Sequence, residues 1–470
     1  MKKLYSLITI LLCLGLGKIN AQFTILHSFD YTDGAQPLSS VLRLGNRLYG
    51  TALEGSANLA GCIYSVDTNG SGFKVIYTFN ASDWGAGYST LAYASGKFYG
   101  CAQGGTNDSG NVFSIDTNGY NYKDIFSFNG PDGRSNGRVQ LVVSGYKVYG
   151  MTFYGGAYHY GIIFSMDTNG GGFKDMHDFN YSDGAYPYGA LTLVGRKLYG
   201  MTTVGGADSD GCMFSIDTSG AGYKDIHEFN GNDGKEPYSS LTFLGGVFYG
   251  TTSLGGVYNS GTIFSIDTSG SRFTNLFNFN GINGFSPLCN FVISGGVMYG
   301  IVEVGGANND GCIFSIDTNG TSFTDLFDFN GANGVQPEDN LLLAGNTLYG
   351  TTTVGGYFNY GEVFKFKDTA IIDSIGNVSN ESINELSQNS GAVGVFPNPN
   401  SGKFTIKLSG VSGKSTVEVY NILGEQVYNT RVIAAYTQID LSSNTAGIYL
   451  YRVLTETGVG LSEGKFVIQK

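Results

Sequence analysis

The chain has 470 residues, of which only 14% are charged, with a formal net charge of −12. That length exceeds one ordinary domain, and an acidic balance without clustered Lys/Arg excludes an electrostatic nucleic-acid binder. The 73 Gly beside 32 Tyr and 32 Phe point to aromatic strands broken by Gly-rich turns, and that aromatic content excludes a disordered chain.

Residues 1–21 read as a secretory signal peptide. Lys2 and Lys3 precede a short apolar run from Leu4 to Leu16, too short to span a bilayer, and Ala21 suits cleavage before Gln22. Cys13 lies inside that run without a lipobox, so no lipoprotein is expected. No later stretch reaches about 18 apolar residues, so no transmembrane segment is expected after signal removal. Five cysteines follow: Cys62, Cys101, Cys212, Cys289 and Cys312. The odd count leaves at least one unpaired. Cys62, Cys212 and Cys312 share one repeat position with Asn111, Ile162, Thr262 and Glu362, which suits small buried residues rather than a disulfide framework.

From residue 22 to 368 the chain repeats itself. A Tyr-Gly pair ends at Gly50, Gly100, Gly150, Gly200, Gly250, Gly300 and Gly350, a fixed period. Two other elements keep step with it, the IFSIDTNG type and the YKDIHEFN type. Each repeat holds four strand-like runs; in the fourth these are ALTLVG, KLYGMTTV, GCMFSID and YKDIHEFN. Four strands at this period predict the blade of a propeller, and seven copies predict a seven-bladed β-propeller. The first copy opens with only the fourth strand (FTILHSFD) and the last stops after the third (GEVFKFKD). The N-terminal strand is therefore expected to complete the last blade and close the ring. This order places the loops of the NYSDGAYP and VGGADSDG types on one face and the DTNG turns on the other.

Residues 369–394 are polar and lack alternation, and read as a linker. Alternating runs over 395–470 predict a small Ig-like β-sandwich.

Two family resemblances follow from these motifs. Pro397-Asn398-Pro399 with Gly402 and Phe404, then VYNILGEQV, DLSSNTAGIYLYRV and KFVIQK, resemble the C-terminal type A sorting domain of the Bacteroidetes type IX secretion system. That resemblance implies export across the outer membrane by the type IX machinery and a secreted or surface-attached, extracellular protein. The repeats, best seen in YGTTSLGGVYNSGTIFSIDTSG (249–270), resemble the GloVer tandem-repeat family, named for Gloeobacter and Verrucomicrobia. It implies exported propeller-like repeats and offers no site residues to carry over.

Candidate chemistry is sparse. His27, His177 and His227 share a position with Tyr77, Phe126, Phe277 and Phe327, which marks packing rather than metal ligation. Asp67, Asp116, Asp167, Asp217, Asp267 and Asp317 open the DT(N/S)G turns. Asp33, Asp83, Asp132, Asp183 and Asp233 interchange with Asn283 and Asn333, which favours turn capping over proton transfer. No cofactor is expected. The oxygen-rich loops 104–110, 205–211 and 305–311 leave Ca²⁺ as an option. The copies differ most in exposed aromatics: Trp84, Tyr154, Tyr158, His159, Tyr160, Tyr186, Tyr258, Tyr357, Phe358 and Tyr360, with Tyr188 and Tyr238 beside the same class of loop. Flat apolar rings with polar edges suit stacking on sugars or protein contacts. The expected function is non-catalytic binding of a polysaccharide or surface protein. A glycan-acting enzyme is the alternative, with Arg134, Arg138, Glu236, Glu338 and Asp339 converging at the channel mouth, and a structural spacer is the third reading.

Overall fold

In the computed structural model the described residues are 22–80, 88–135, 139–338, 340–367, 393–396, 400–408, 415–421, 426–432, 436–445, 447–455 and 460–469. The expected signal peptide, Trp84, Arg138, Asp339 and Pro397 to Pro399 lie outside them. Every regular element among the described residues is a β-strand. The chain divides into two compact units, 1–375 and 376–470.

In the first unit each repeat forms an antiparallel sheet. The fourth pairs Thr192–Val194 with Lys197–Val204, then Cys212–Asp217, then Lys224–Glu228. An extra short strand, Ala185–Pro187, pairs with the end of Lys197–Val204. The two middle strands are buried almost throughout, so they read as continuous apolar runs rather than alternating ones. Gly200 lies opposite Phe214. A Cβ on Gly200 would sit 2.6 Å from the tip of that ring, and the same holds at Gly100 over Phe113 and Gly300 over Phe314. The glycine of the Tyr-Gly motif is thus fixed by the phenylalanine that crosses it.

Six sheets follow chain order. The seventh joins Leu342–Ala344, Thr347–Thr352 and Glu362–Lys367 to the N-terminal strand Gln22–Ser28. Gln22 pairs with Lys367 and Ser28 with Glu362. Outer-strand residues then join the sheets through one repeated contact. Tyr77 stacks on Tyr122, Phe126 on Phe173, His177 on Tyr223, His227 on Phe273 and Phe277 on Phe323. Phe327 stacks on Phe23 at 4.3 Å, and His27 of that same strand stacks on Phe73 of the first sheet at 3.4 Å. Each sheet passes one ring to the next, and the seventh passes one to the first. Separate buried clusters of aromatic and aliphatic side chains, 0% exposed at Phe79, Phe128, Phe179, Phe279 and Phe329, fill the spaces between neighbouring sheets.

The DTNG hairpins form as their composition requires. Asp67 N donates to Ser71 O and Gly70 N to Asp67 O, with Gly70 at φ 90°. Asn-Gly supplies that left-handed position without steric cost. Asp67, Asp116 and Asp167 also pair with Arg47, Lys97 and Lys147.

The second unit has two sheets. Val393–Phe396, Lys403–Leu408 and Tyr436–Asp440 form one; Gln426–Val432, Ser415–Asn421, Gly447–Thr455 and Gly460–Ile468 form the other. Both sheets feed one core, with Phe404, Ile406 and Ile439 against Val417, Val419, Tyr451 and Phe466. Gly402 has φ 97°, and a Cβ there would meet the Ser442 backbone at 2.5 Å. Its N–H donates to Asn400 Oδ1, while Asn400 bridges to Val467 and Gln469.

Candidate functional site

Two classes of loop meet on one side of the first unit. The loop between second and third strands bridges to the segment that connects one sheet to the next, at Ala35 with Glu54, Arg134 with Tyr154, Lys235 with Leu254, Phe285 with Val304 and Val335 with Val354. The DTNG turns pair instead with the first hairpin, Thr68 N donating to Asn46 O. The two hairpin turns therefore share the side opposite the paired loops.

The aromatics concentrate at two places on the loop side. Around the third repeat, Phe153 lies 5.2 Å from Tyr186 and 4.6 Å from Tyr154, and Tyr154 meets Tyr186 edge-on at 5.5 Å. Tyr160 contacts both Tyr186 and Tyr181. Tyr154, Tyr158 and Tyr181 are exposed. Tyr186 has its phenol pushed up, first by burial and then by the neighbouring tyrosines. A second group joins Tyr360 to Tyr31 at 5.1 Å, and Tyr357 to Phe358 at 4.7 Å, with Tyr357 83% exposed. The pair Tyr360–Tyr31 repeats the arrangement of Tyr160–Tyr181. Tyr258 is exposed on its own loop.

Phe153, Tyr181 and Tyr31 belong to these groups and were not singled out from the sequence. The signal for two of them was present: Tyr31 and Tyr181 have φ near 74°, in a column filled elsewhere by Gly130, Gly231, Gly281 and Gly331. Tyr188 meets Phe153 edge-on at 6.2 Å and Tyr238 at 5.0 Å. With Leu38, Tyr88, Gln140, Leu288 and Glu338 the two tyrosines line a narrow cavity of about 30 Å³ to which all seven repeats contribute. That space suits a single water.

A separate open cleft of about 360 Å³ is lined by Ser109, Gly130, Arg134, Tyr154, Gly155 and His159. Arg134 and Glu338 thus line two different cavities, and half-buried Glu236 lines neither. The described members of the enzymatic constellation do not converge.

The remaining titratable groups have structural partners. His177 and His227 place Nε2 3.1 Å from Asp183 and Asp233, and His27 lies 2.8 Å from Asp33. Asp183 Oδ1 accepts from Asn180 N, as Asn283 Oδ1 accepts from Asn280 N. All five described cysteines are buried, and burial pushes the Cys212 thiol up to about 12, which removes nucleophilic character. Among the described residues no three His, Cys, Asp or Glu side chains gather as a metal site. In the loops 104–110 and 305–311, Asn107 and Asn308 donate to the backbone oxygens of Phe128 and Phe329.

The Gloeobacter/Verrucomicrobia repeat model matches residues 16–197, 104–309 and 245–389, well over half of the chain. The chain belongs to this repeat family. The repeat-family sheets are followed by a secretion-system C-terminal sorting domain, matched over residues 394–469. That domain marks a protein exported by the type IX system to a cell-surface or secreted location. Among the described residues no helix is long and apolar enough to cross a membrane. No curated protein matches the chain. Among solved structures it is similar to PorZ, a surface component of the type IX secretion system of Porphyromonas gingivalis (12% identity, 92% of this chain and 59% of that one, TM-score 0.41). It is also similar to an oligogalacturonate lyase in complex with manganese (14%, 75% and 94%, TM-score 0.47) and to a fungal alcohol oxidase in complex with copper (12%, 96% and 99%, TM-score 0.49). The chain spans 59% of the length of the PorZ chain. At these scores the likenesses assign neither blade number nor activity.

Proposed function

We propose that this is a non-catalytic polysaccharide-binding protein whose seven sheets close as a seven-bladed β-propeller over 22–368, with a sorting domain at 395–470 engaged by the type IX machinery. The cycle of seven ring stacks and the completion of the last sheet by Gln22–Ser28 support closure. One observation carries the binding reading. Tyr181 occupies a left-handed backbone position that four other repeats give to glycine, a choice that costs about 1 kcal/mol or more. It presents its ring to Tyr160 on the loop side, and Tyr31 does the same beside Tyr360. Backbone sterics oppose these rings, so their surface is the reason they are there. Tyr154, Tyr158, His159, Tyr160 and Tyr186 at one place and Tyr357, Phe358 and Tyr360 at the other form two platforms, with Tyr258 between them in the chain. Such platforms suit the apolar faces of sugars.

The test is binding of the full chain to immobilised neutral and acidic polysaccharides, with and without EDTA. Saturable binding is expected, and Tyr181→Gly weakens it roughly tenfold, as expected for loss of one stacking ring, without lowering Tm. Loss of binding in EDTA would add Ca²⁺ to the site. Absence of saturable binding across the panel, or an unchanged Tyr181→Gly, would sink the reading and favour a protein partner.

A further inference from the structure

We infer that the cleft beside Tyr154 is a subsite for the carboxylate of a uronic-acid sugar, so that the polysaccharide is an acidic one. This inference rests on the polysaccharide reading and names its chemical class. At about 360 Å³ the cleft falls within the roughly 300–1,000 Å³ range of small-molecule sites. Its lining holds a guanidinium (Arg134), an imidazole (His159), a hydroxyl (Ser109) and a phenol (Tyr154), and no acidic side chain.

The backbone that carries the guanidinium is fixed beside the ring. Arg134 N donates to Tyr154 O at 2.7 Å, and Tyr154 N to Arg134 O at 3.3 Å, so cation and ring leave adjacent, paired backbone. The Arg134 side chain is exposed and makes no ion pair among the described residues, whereas Arg47 pairs with Asp67 and Arg452 with Glu418. The neighbouring carboxylate, Asp132, already accepts from Asn129 Nδ2 at 2.8 Å. Behind Tyr154, Phe153 and Tyr186 fix the wall. A planar guanidinium matches a carboxylate through two parallel N–H···O bonds, while the phenol takes an apolar face of the same sugar. The net charge of −12 does not oppose this at physiological salt, because charges farther than about 8 Å are largely screened.

The experiment measures binding of the full chain to alginate and hyaluronan, and to the same polymers after chemical reduction of their carboxylates. Wild type is expected to bind the carboxylated forms at least about tenfold more tightly, the size of a charged hydrogen-bonded contact, and to lose that preference at high salt. Arg134→Gln should bring the ratio of affinities for the carboxylated and reduced polymers down to about one. Arg134→Lys, which keeps the charge without the fork, should fall between. Equal affinity for both forms, or an Arg134→Gln variant that keeps the preference, overturns the inference. The polysaccharide reading then survives if Tyr181→Gly still weakens binding. No binding of wild type to either form of either polymer overturns the inference, and silence across the neutral panel as well overturns both.

Discussion

A ring laid over a glycine is the smallest unit of this architecture, and one repeat departs from it. Where the others place phenylalanine, the first places Tyr64 opposite Gly50. Its side chain is 0% exposed, and its hydroxyl has no hydrogen-bond partner among the described residues. A buried unpaired hydroxyl costs about 1–3 kcal/mol. Tyr64→Phe is therefore expected to stabilise the protein by about that amount, measured as a higher denaturation midpoint with unchanged slope; a lower midpoint would mean that the hydroxyl is satisfied. Other residue roles were legible in part. Interchange of His with Phe and Tyr marked the outer-strand position as packing, and His177 does stack on Tyr223. Interchange of Asp with Asn marked the turn as a cap, and Asp183 does accept from Asn180 N. The ion pairs between the two columns were missed because each column was read alone. His177 pairs with Asp183 and His227 with Asp233, whereas in the repeat with Phe126 the second oxygen of Asp132 accepts from Asn129 Nδ2.

At the scale of elements, the seventh sheet contains a buried acid. Glu362 is 0% exposed, in a column that other repeats fill with Cys, Asn, Ile or Thr. Oε1 accepts from Ser28 Oγ of the N-terminal strand at 2.8 Å, while Oε2 has no partner among the described residues. Burial, its largest influence, pushes this carboxyl above the ordinary glutamate range, with Ser28 opposing. Asp175 and Asp325 are pushed up to about 6, first by burial and then by Asp178 and Asp328. A carboxyl with a raised pKa in the folded state binds its proton there while the unfolded chain, near 4, is still ionised. Between those values the folded state holds more protons, so stability rises as pH falls. Asp267, held down to about 2 by Ser269 and opposed by burial, loses its contribution only below the unfolded value near 4. The expected outcome is a higher Tm at pH 5 than at pH 7.5. Glu362→Gln should raise Tm at pH 7.5 more than at pH 5 and so flatten the profile, which thermal scans at the two pH values will read. The strand pattern itself was legible, because each short run is bounded by Gly, Asn and Asp. The extra strand Ala185–Pro187 was not, because a proline inside a three-residue run argues against a strand.

At the scale of the whole molecule, the pairing of Gln22–Ser28 with Glu362–Lys367 was legible in the order of the strand types, since the first repeat strand is of the fourth kind and the last copy carries the other three. The turn chemistry agrees. Six copies carry DTNG or DTSG between third and fourth strands, whereas the seventh reads KDTA. The ligand was not legible, because a repeat shared by all copies reports the scaffold, and only departures from it report the site. The proposed ring makes a demanding prediction about connectivity. Gln22 and Lys367 are paired neighbours, so a hairpin turn of the kind used in the other six sheets can join them. A circular permutant of the repeat unit would carry Asp in place of Lys367, follow it with Thr-Asn-Gly-Ser-Gly, continue into Phe23, and open new termini within the Asp217–Gly220 turn. The seventh sheet would then be a continuous four-stranded meander, and the fourth would be completed by the two new chain ends. The permutant is expected to fold with one cooperative transition, at a Tm within a few degrees of the parent unit, since only the order of connections has changed. The stack of Phe23 on Phe327 should persist in it, so Phe23→Ala should cost about 3 kcal/mol in parent and permutant alike. If the N-terminal strand instead sits at an open edge, the new turn gains nothing, and cutting the fourth sheet splits the array into pieces that melt separately. Calorimetry of parent and permutant distinguishes the two: one shared transition for a closed ring, several for an open array.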